Sequence, residues 1–126
     1  MKRTVAISPA EAAVMEILWQ RSPAGTDEIV TALAPHRQWH ESTIKTLLNR
    51  LLRKGAIRAS KEGRRNLYLP VLKREEWLSD ESAGLLDRLF GGRVAPFVAH
   101  FSRHRKLTRR DVEELKRLIG EFEDER

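Results

Sequence analysis

Residues 42–54 place two chemically different faces on one predicted helix. At about 100° per residue, the apolar side chains gather on one side, and these are Ile44, Leu47, Leu48, Leu51 and Leu52. The opposite side carries hydroxyl, amide and cationic groups, and these are Ser42, Lys45, Thr46, Asn49, Arg50 and Arg53. No Asp or Glu lies in the segment. Such a helix has one face for a protein core and one face suited to a polyanion.

Two shorter helices are predicted before this segment. Ser8 as N-cap, Pro9 at the first helical position and Glu11 as the capping-box partner mark the start of the first helix. A second helix opens at Thr26–Glu28, where acidic residues suit the helix dipole, and Pro35 closes it. The third helix runs from about Ser42 to Lys54 and stops at Gly55.

A β-hairpin is predicted directly after the third helix. Two short alternating segments, Ala56–Ser60 and Asn66–Pro70, flank a Gly-containing basic loop at residues 61–65. Three short helices followed by a basic hairpin are typical of a winged helix-turn-helix domain, here assigned to residues 1–72. The predicted fold class is mainly α with a small β-hairpin.

The charge distribution favours a nucleic-acid partner for this first part. The whole chain has a net charge of +6. Residues 1–72 carry 12 Lys and Arg against 6 Asp and Glu, whereas residues 73–126 carry 12 against 12. All of the excess positive charge therefore lies in the predicted winged helix, where it is expected to meet phosphates.

Each polar residue of the third helix has an expected role at a DNA duplex. The first turns of a recognition helix usually reach the bases, which assigns base reading to Ser42, Thr43, Lys45, Thr46 and Asn49. Arg50, Arg53 and Lys54 are expected to contact phosphates, and Arg64 and Arg65 to approach the duplex from the hairpin loop.

Residues 73–126 predict three amphipathic helices that form a C-terminal dimerisation region. The expected interface residues are Trp77, Leu78, Leu85, Leu86, Leu89, Phe90, Phe97, Phe101, Leu115, Leu118, Ile119 and Phe122. So many apolar positions cannot all be covered by a domain of about 70 residues. Dimerisation is the simplest way to cover them, so a homodimer is expected.

Four stretches of the chain resemble the BlaI/MecI penicillinase-repressor family: Ser8–Trp19, Thr43–Ile57, Tyr68–Pro70 and Leu89–Gly92. The resemblance implies a homodimeric winged-helix repressor that binds a palindromic DNA operator and dimerises through its C-terminal helices. It also implies control of β-lactam resistance or another stress response, with a membrane sensor protease as a further partner.

The same resemblance implies inactivation by cleavage in the dimerisation region, between an Asn and a Phe. The matching pair here is His100-Phe101, so the Phe is present and the Asn is not. This departure weakens the expectation of cleavage. A related copper-responsive branch uses a cysteine cluster, and this chain has no cysteine.

Other interpretations compete with operator binding. A winged helix that binds an acidic protein partner is the main alternative, whereas an RNA-binding or hydrolytic role finds no stacking platform or activated nucleophile, so no enzyme is expected.

The pairs His36–His40 and His100–His104 have helical spacing but lack further ligands, so neither a metal nor a cofactor is expected. Trp39 is the tryptophan most favourably placed near DNA. No apolar run suits a signal peptide or a membrane span, so a cytoplasmic protein that does not bind membranes is expected.

Overall fold

A computed structural model describes residues 5–104 and 106–125 of the chain. In these ranges the elements are α1 (Pro9–Gln20), α2 (Thr26–Leu33), α3 (Glu41–Lys54), β1 (Ile57–Glu62), β2 (Arg65–Pro70), α4 (Arg74–Phe90), α5 (Val94–Arg103) and α6 (Arg109–Asp124). This order is the one expected for a winged helix followed by a helical region. Among the described residues, no helix has both the length and the apolar character needed to cross a bilayer.

The predicted capping box of α1 is confirmed. The Glu11 backbone N–H donates to Ser8 Oγ at 3.1 Å, and the Ser8 N–H donates to Glu11 Oε1 at 2.7 Å. Pro9 occupies the first helical position, where its missing N–H costs nothing. The same reciprocal pair of bonds joins Thr108 and Asp111 at the start of α6, as the sequence predicts.

The third helix begins one residue earlier than predicted, at Glu41, with His40 as its N-cap. A carboxylate in the first turn is favourable because it faces the positive end of the helix dipole. The helix ends at Gly55, whose φ of 77° lies in the left-handed region that glycine adopts without strain. The carboxylate-free description therefore holds for residues 42–54 but not for the whole of α3.

The hairpin is longer, and its turn shorter, than the sequence predicts. Antiparallel pairing extends from Ile57 opposite Pro70 to Glu62 opposite Arg65, which leaves only Gly63 and Arg64 in the turn. Prediction of a five-residue loop at 61–65 was wrong because charged residues at the tip of an exposed hairpin still form the backbone ladder. A positive φ of 64° at Gly63 makes this tight turn possible.

An additional bridge fixes the hairpin to the helices. The backbone of Ala24, between α1 and α2, pairs with Tyr68 of β2 through N–H···O bonds of 3.1 and 2.8 Å. Ala24 is completely buried. This pairing is a single β-bridge between the α1–α2 connection and β2, and it holds β2 beside the start of α2.

The first three helices and the hairpin share one hydrophobic core. It consists of Ile7, Val14, Met15, Leu18, Ala24, Ile29, Leu33, Ile44, Leu47, Leu48, Leu51, Ala56, Ile57, Tyr68 and Leu72. Four of these residues come from the apolar face of α3, so the opposite face of that helix is directed away from the core.

The chain divides into two compact units, the first ending at Asp80 and the second beginning at Glu81, inside α4. Trp77 belongs to the first unit, where its ring lies 5.4 Å from that of Trp19, and the Trp19 indole N–H donates to the Leu72 carbonyl at 2.9 Å. We therefore remove Trp77 from the expected dimerisation residues. The functional boundary at residue 72 stays a prediction.

Candidate nucleic-acid interface

The outer face of α3 is exposed along its whole length. Ser42, Lys45, Thr46, Asn49, Arg50 and Arg53 are all exposed, whereas Thr43 is half-buried. The Thr46 hydroxyl donates to the Ser42 carbonyl at 3.0 Å, so its oxygen can still accept a hydrogen bond from a partner. The structure thus places all six polar residues predicted for this face on one exposed surface.

Two cations of this face differ from Lys45 in their ion pairing. Arg50 and Arg53 form no salt bridge among the described residues. Lys45 differs, because its Nζ lies 3.4 Å from Glu41 Oε2 one helical turn earlier. Both of these side chains are about 60% exposed, so the pair is weak and readily exchanged for another partner.

Lys54 is exposed but is held by groups of the protein, which argues against its expected role as a phosphate contact. Its Nζ lies 2.5 Å from Oε1 of the buried Glu11 and donates to the Ala6 carbonyl at 3.1 Å. Burial by itself raises the pKa of the Glu11 carboxyl, but hydrogen bonds from Lys54 and Ser8, with the charge of Lys54, hold that pKa below its usual range. Lys54 therefore ties the end of α3 to the start of α1.

Arg65 is also occupied within the protein. It lies on β2, and its guanidinium Nη2 is 2.9 Å from Asp27 Oδ1 and in contact with Glu28 Oε1 at the start of α2. The hydrogen bond and charge of Arg65 hold the pKa of the Asp27 carboxyl below its usual range. Arg64 lies in the turn and is exposed, so the two adjacent arginines have different environments.

Gly25 explains why Arg65 can approach α2 so closely. A Cβ atom at Gly25 would lie 2.8 Å from Arg65 Nη2 and 2.9 Å from Asp27 Oδ1, closer than side chains tolerate. Gly25 is also the N-cap of α2, and its N–H donates to Glu28 Oε1 at 3.0 Å. The φ of −90° at Gly25 is open to any residue, so a larger side chain there would act by displacing the flexible ends of Arg65 and Asp27.

An open groove of about 420 Å³ lies between α3, the start of α2 and β2. Its lining residues are Thr26, Asp27, Glu41, Lys45, Asn49, Arg65, Asn66 and Tyr68. Sequence reasoning found Lys45, Asn49 and Arg65 but missed the others. Asp27 and Asn66 reach the groove through the bridge between Ala24 and Tyr68, which no local pattern reveals.

Trp39 and the pair His100–His104 are weaker candidates for a functional site than the face of α3. Trp39 is half-buried against the core, and the Arg37 guanidinium carbon lies 4.8 Å from its ring centroid, so the ring is partly covered. The rings of His100 and His104 have centroids 4.5 Å apart. Within the described ranges no cluster of three or more His, Asp or Glu could hold a metal ion.

The family model described as penicillinase repressor matches residues 7–121. The chain belongs to the penicillinase repressor family. This confirms the family predicted from the sequence resemblance, and with it the expectation of a DNA-binding transcriptional repressor. The family is one of transcriptional repressors and not a class of enzymes.

Relatives in the penicillinase repressor family match over nearly the whole chain. The penicillinase repressor of Bacillus licheniformis is 32% identical over 124 residues, which are 98% of this chain and 97% of that protein. The methicillin resistance regulatory protein MecI of Mammaliicoccus sciuri is 27% identical and covers 94% of this chain and 96% of its own length.

Solved structures of the penicillinase repressor family support the winged-helix assignment. The solution structure of the DNA-binding domain of the repressor BlaI is 38% identical, covers 60% of this chain and 93% of its own, and has a TM-score of 0.53. The solution structure of monomeric Bacillus licheniformis BlaI in complex with the blaP half-operator has the same identity, coverage and TM-score. The predicted fold class, mainly α with a winged-helix hairpin, is confirmed.

Proposed function

We propose that this protein represses transcription in the cytoplasm by binding a palindromic operator as a homodimer, with α3 in the major groove. The observation that carries the proposal is the exposed polar face of α3, set opposite four buried apolar residues of the same helix. Burial of the apolar face fixes the orientation of α3, so the polar face is presented to a partner without rearrangement. Its hydroxyl, amide and cationic groups match the donors and acceptors of base edges and phosphates.

The roles along α3 follow from position and partners. Ser42, Lys45, Thr46 and Asn49 lie in the first turns and read bases, with the half-buried Thr43 beside them. Arg50 and Arg53, which form no ion pair with any residue that the structure describes, bind phosphates, as does Arg64 in the hairpin turn. Lys54 and Arg65 are excluded from this set because each is held by carboxylates of the protein.

The second unit supplies the dimer interface. No residue of α4, α5 or α6 is fully buried. Large apolar side chains remain exposed, including Leu89 at 65% and Ile119 at 56%. Helices with rich apolar faces and no buried residue of their own are stabilised when a second copy covers those faces. Two recognition helices related by a twofold axis would then enter major grooves about 34 Å apart.

Cleavage at His100-Phe101 by a membrane sensor protease stays a prediction. The bond lies inside α5, with Phe101 half-buried and its ring 5.0 Å from that of Phe97. A protease that needs an extended substrate would have to unwind this turn. Incubation of the purified protein with the protease encoded nearest to its gene, followed by mass spectrometry of the products, tests the prediction directly.

Binding to genomic DNA fragments, measured by gel shift against a random duplex, tests the main proposal. We expect a subset of fragments to bind at least ten-fold more tightly than the random duplex, since specific contacts add to phosphate binding. The affinity of the wild-type protein should fall steeply as salt rises, because each neutralised phosphate releases counterions. Equal affinity for all fragments, or no binding, would instead support the protein-interaction alternative.

The double variant R50A/R53A links the result to α3. Loss of two phosphate contacts should reduce the slope of log affinity against log salt by about 1.8. The matched control is R110A, which removes an exposed arginine from the first turn of α6 in the second unit. A slope changed equally by both variants would show that only net charge matters, and would remove α3 from the interface.

A further inference from the structure

The first turn of α3 carries an acidic residue on the surface that we assign to DNA. Glu41 is exposed, and its Oε2 lies 3.4 Å from Lys45 Nζ. Glu41, Lys45 and Asn49 succeed one another at intervals of four residues, and all three line the groove beside β2. A carboxylate, an ammonium group and an amide therefore form one row on this side of the helix.

The helix dipole favours a carboxylate at Glu41, but neither the ion pair with Lys45 nor phosphate binding explains one on this surface. An exposed ion pair between residues four apart contributes little to stability, because water screens both charges. A carboxylate beside a duplex repels phosphates, so it weakens binding that does not depend on sequence. A hydrogen-bond donor on the DNA opposite Glu41 would compensate for this repulsion.

The major groove offers such a donor. Cytosine presents its N4 amino group there, and Asp or Glu side chains accept from it. The neighbouring Lys45 can donate to guanine O6 and N7. When Lys45 turns to a base, the Glu41 carboxylate loses its internal partner and is free to accept a hydrogen bond from DNA.

We propose that Glu41 is a specificity-determining residue that accepts a hydrogen bond from the N4 amino group of a cytosine in each operator half-site, beside the base read by Lys45. The proposal rests on the function proposed above, with α3 in the major groove. Wherever a guanine or thymine replaces that cytosine, the carboxylate faces an acceptor and is repelled. Glu41 thus discriminates both by attraction to the correct base and by repulsion from wrong ones.

Selection from a library of randomised duplexes tests the proposal. The wild-type protein, E41A and E41Q are each incubated with the library, and the bound duplexes are sequenced. At one position of each half-site we expect a wild-type preference for cytosine of about 5- to 150-fold. E41A should lose this preference and keep the others, while its affinity for unrelated duplexes rises. E41Q should shift the preference at the same position towards adenine, because an amide both donates to and accepts from that base.

The matched control is E62Q, which removes an exposed carboxylate at the end of β1 beside the hairpin turn. It changes net charge by the same amount as E41Q and should leave the preference at the cytosine position unchanged.

Three results would overturn the assignment of Glu41. The first is an E41A variant that binds every sequence more tightly with unchanged preferences, since Glu41 would then act only through charge. The second is loss of the same base preference in E41A and K45A, since Glu41 would then only position Lys45. The third is a wild-type protein that selects no sequence at all, and this result alone would also overturn the proposed function.

Discussion

Lys54→Met should destabilise the protein strongly although Lys54 is an exposed residue at the end of α3. The substitution keeps a long unbranched side chain and removes the ammonium group that pairs with Glu11 Oε1 at 2.5 Å. The Glu11 side chain is only 2% exposed, whereas that of Lys54 is 37% exposed. Without Lys54 a nearly buried carboxylate keeps the Ser8 hydrogen bond but has lost its counter-charge.

The expected loss is about 2–3 kcal/mol at pH 7. Removal of one member of a buried ion pair typically costs about 3–5 kcal/mol. We expect a smaller loss of stability because Lys54 is partly exposed and water can approach the position that its ammonium group vacates. For a domain of this size the loss corresponds to a decrease in melting temperature on the order of 10–20 °C.

The loss should also depend on pH, with a sign fixed by Glu11. Its pKa in the folded wild type is lowered from the ordinary value of 4.5. Stabilisation by this group is therefore fully present above the unfolded-state pKa and disappears as pH falls through the lower folded-state value. In the variant the hydrogen bond and charge of Lys54 no longer lower the pKa of Glu11, so Glu11 becomes protonated at a higher pH than in the wild type. The difference in stability between the two proteins should shrink between pH 7 and pH 4.

Urea unfolding monitored by tryptophan fluorescence measures both effects, because all three tryptophans lie in the first unit. The control is Arg53→Met, which removes a neighbouring exposed cation and should change stability by no more than about 0.5 kcal/mol. Adding Glu11→Gln to Lys54→Met should restore part of the loss, since an amide needs no counter-charge. A deficit that equals that of the control, or that stays constant from pH 7 to pH 4, would refute the reasoning.

Three further substitutions follow from the same contacts. Arg64→Ala should reduce the slope of log affinity for DNA against log salt by about 0.9. Arg65→Ala should leave that slope nearly unchanged, because Asp27 and Glu28 already hold its guanidinium. Equal slopes in a titration of both variants would restore Arg65 to the interface. Ile119→Glu should convert the dimer to a monomer in sedimentation equilibrium, since it places a charge on an exposed apolar face of α6. Lys116→Ala, which changes an exposed residue of the same helix, should leave the dimer intact. Dimers of both variants would exclude this face of α6 from the dimer interface. Gly55→Ala should destabilise the protein by about 1 kcal/mol through its positive φ alone, since no atom lies within 4 Å of the added Cβ. Gly120 is equally open but lies inside α6, so Gly120→Ala should stabilise the protein slightly. A thermal melt of each variant measures both effects.

Local sequence patterns were sufficient for the helices and for most of the candidate interface. Ser8, Pro9 and Glu11 specify the start of α1 because a capping box acts within four residues of backbone. The alternation of apolar and polar residues in α3 determines which of its faces is buried, since a helix of known period has only one way to cover Ile44 and Leu48. These relations are local, so the sequence contains them in full.

Ion pairs between residues far apart in the sequence determined the features that local patterns did not predict. Lys54 and Arg65 read as free cations in the sequence, but tertiary folding brings them to Glu11, 43 residues away, and to Asp27, 38 residues away. Glu41 was missed for a smaller reason, because the helix start was placed at Ser42. Sequence alone thus determined which side of α3 is polar, through helical periodicity. Only the tertiary structure decided which charges on and around that side are available, because a charge is neutralised by whatever the fold places within a few ångströms of it.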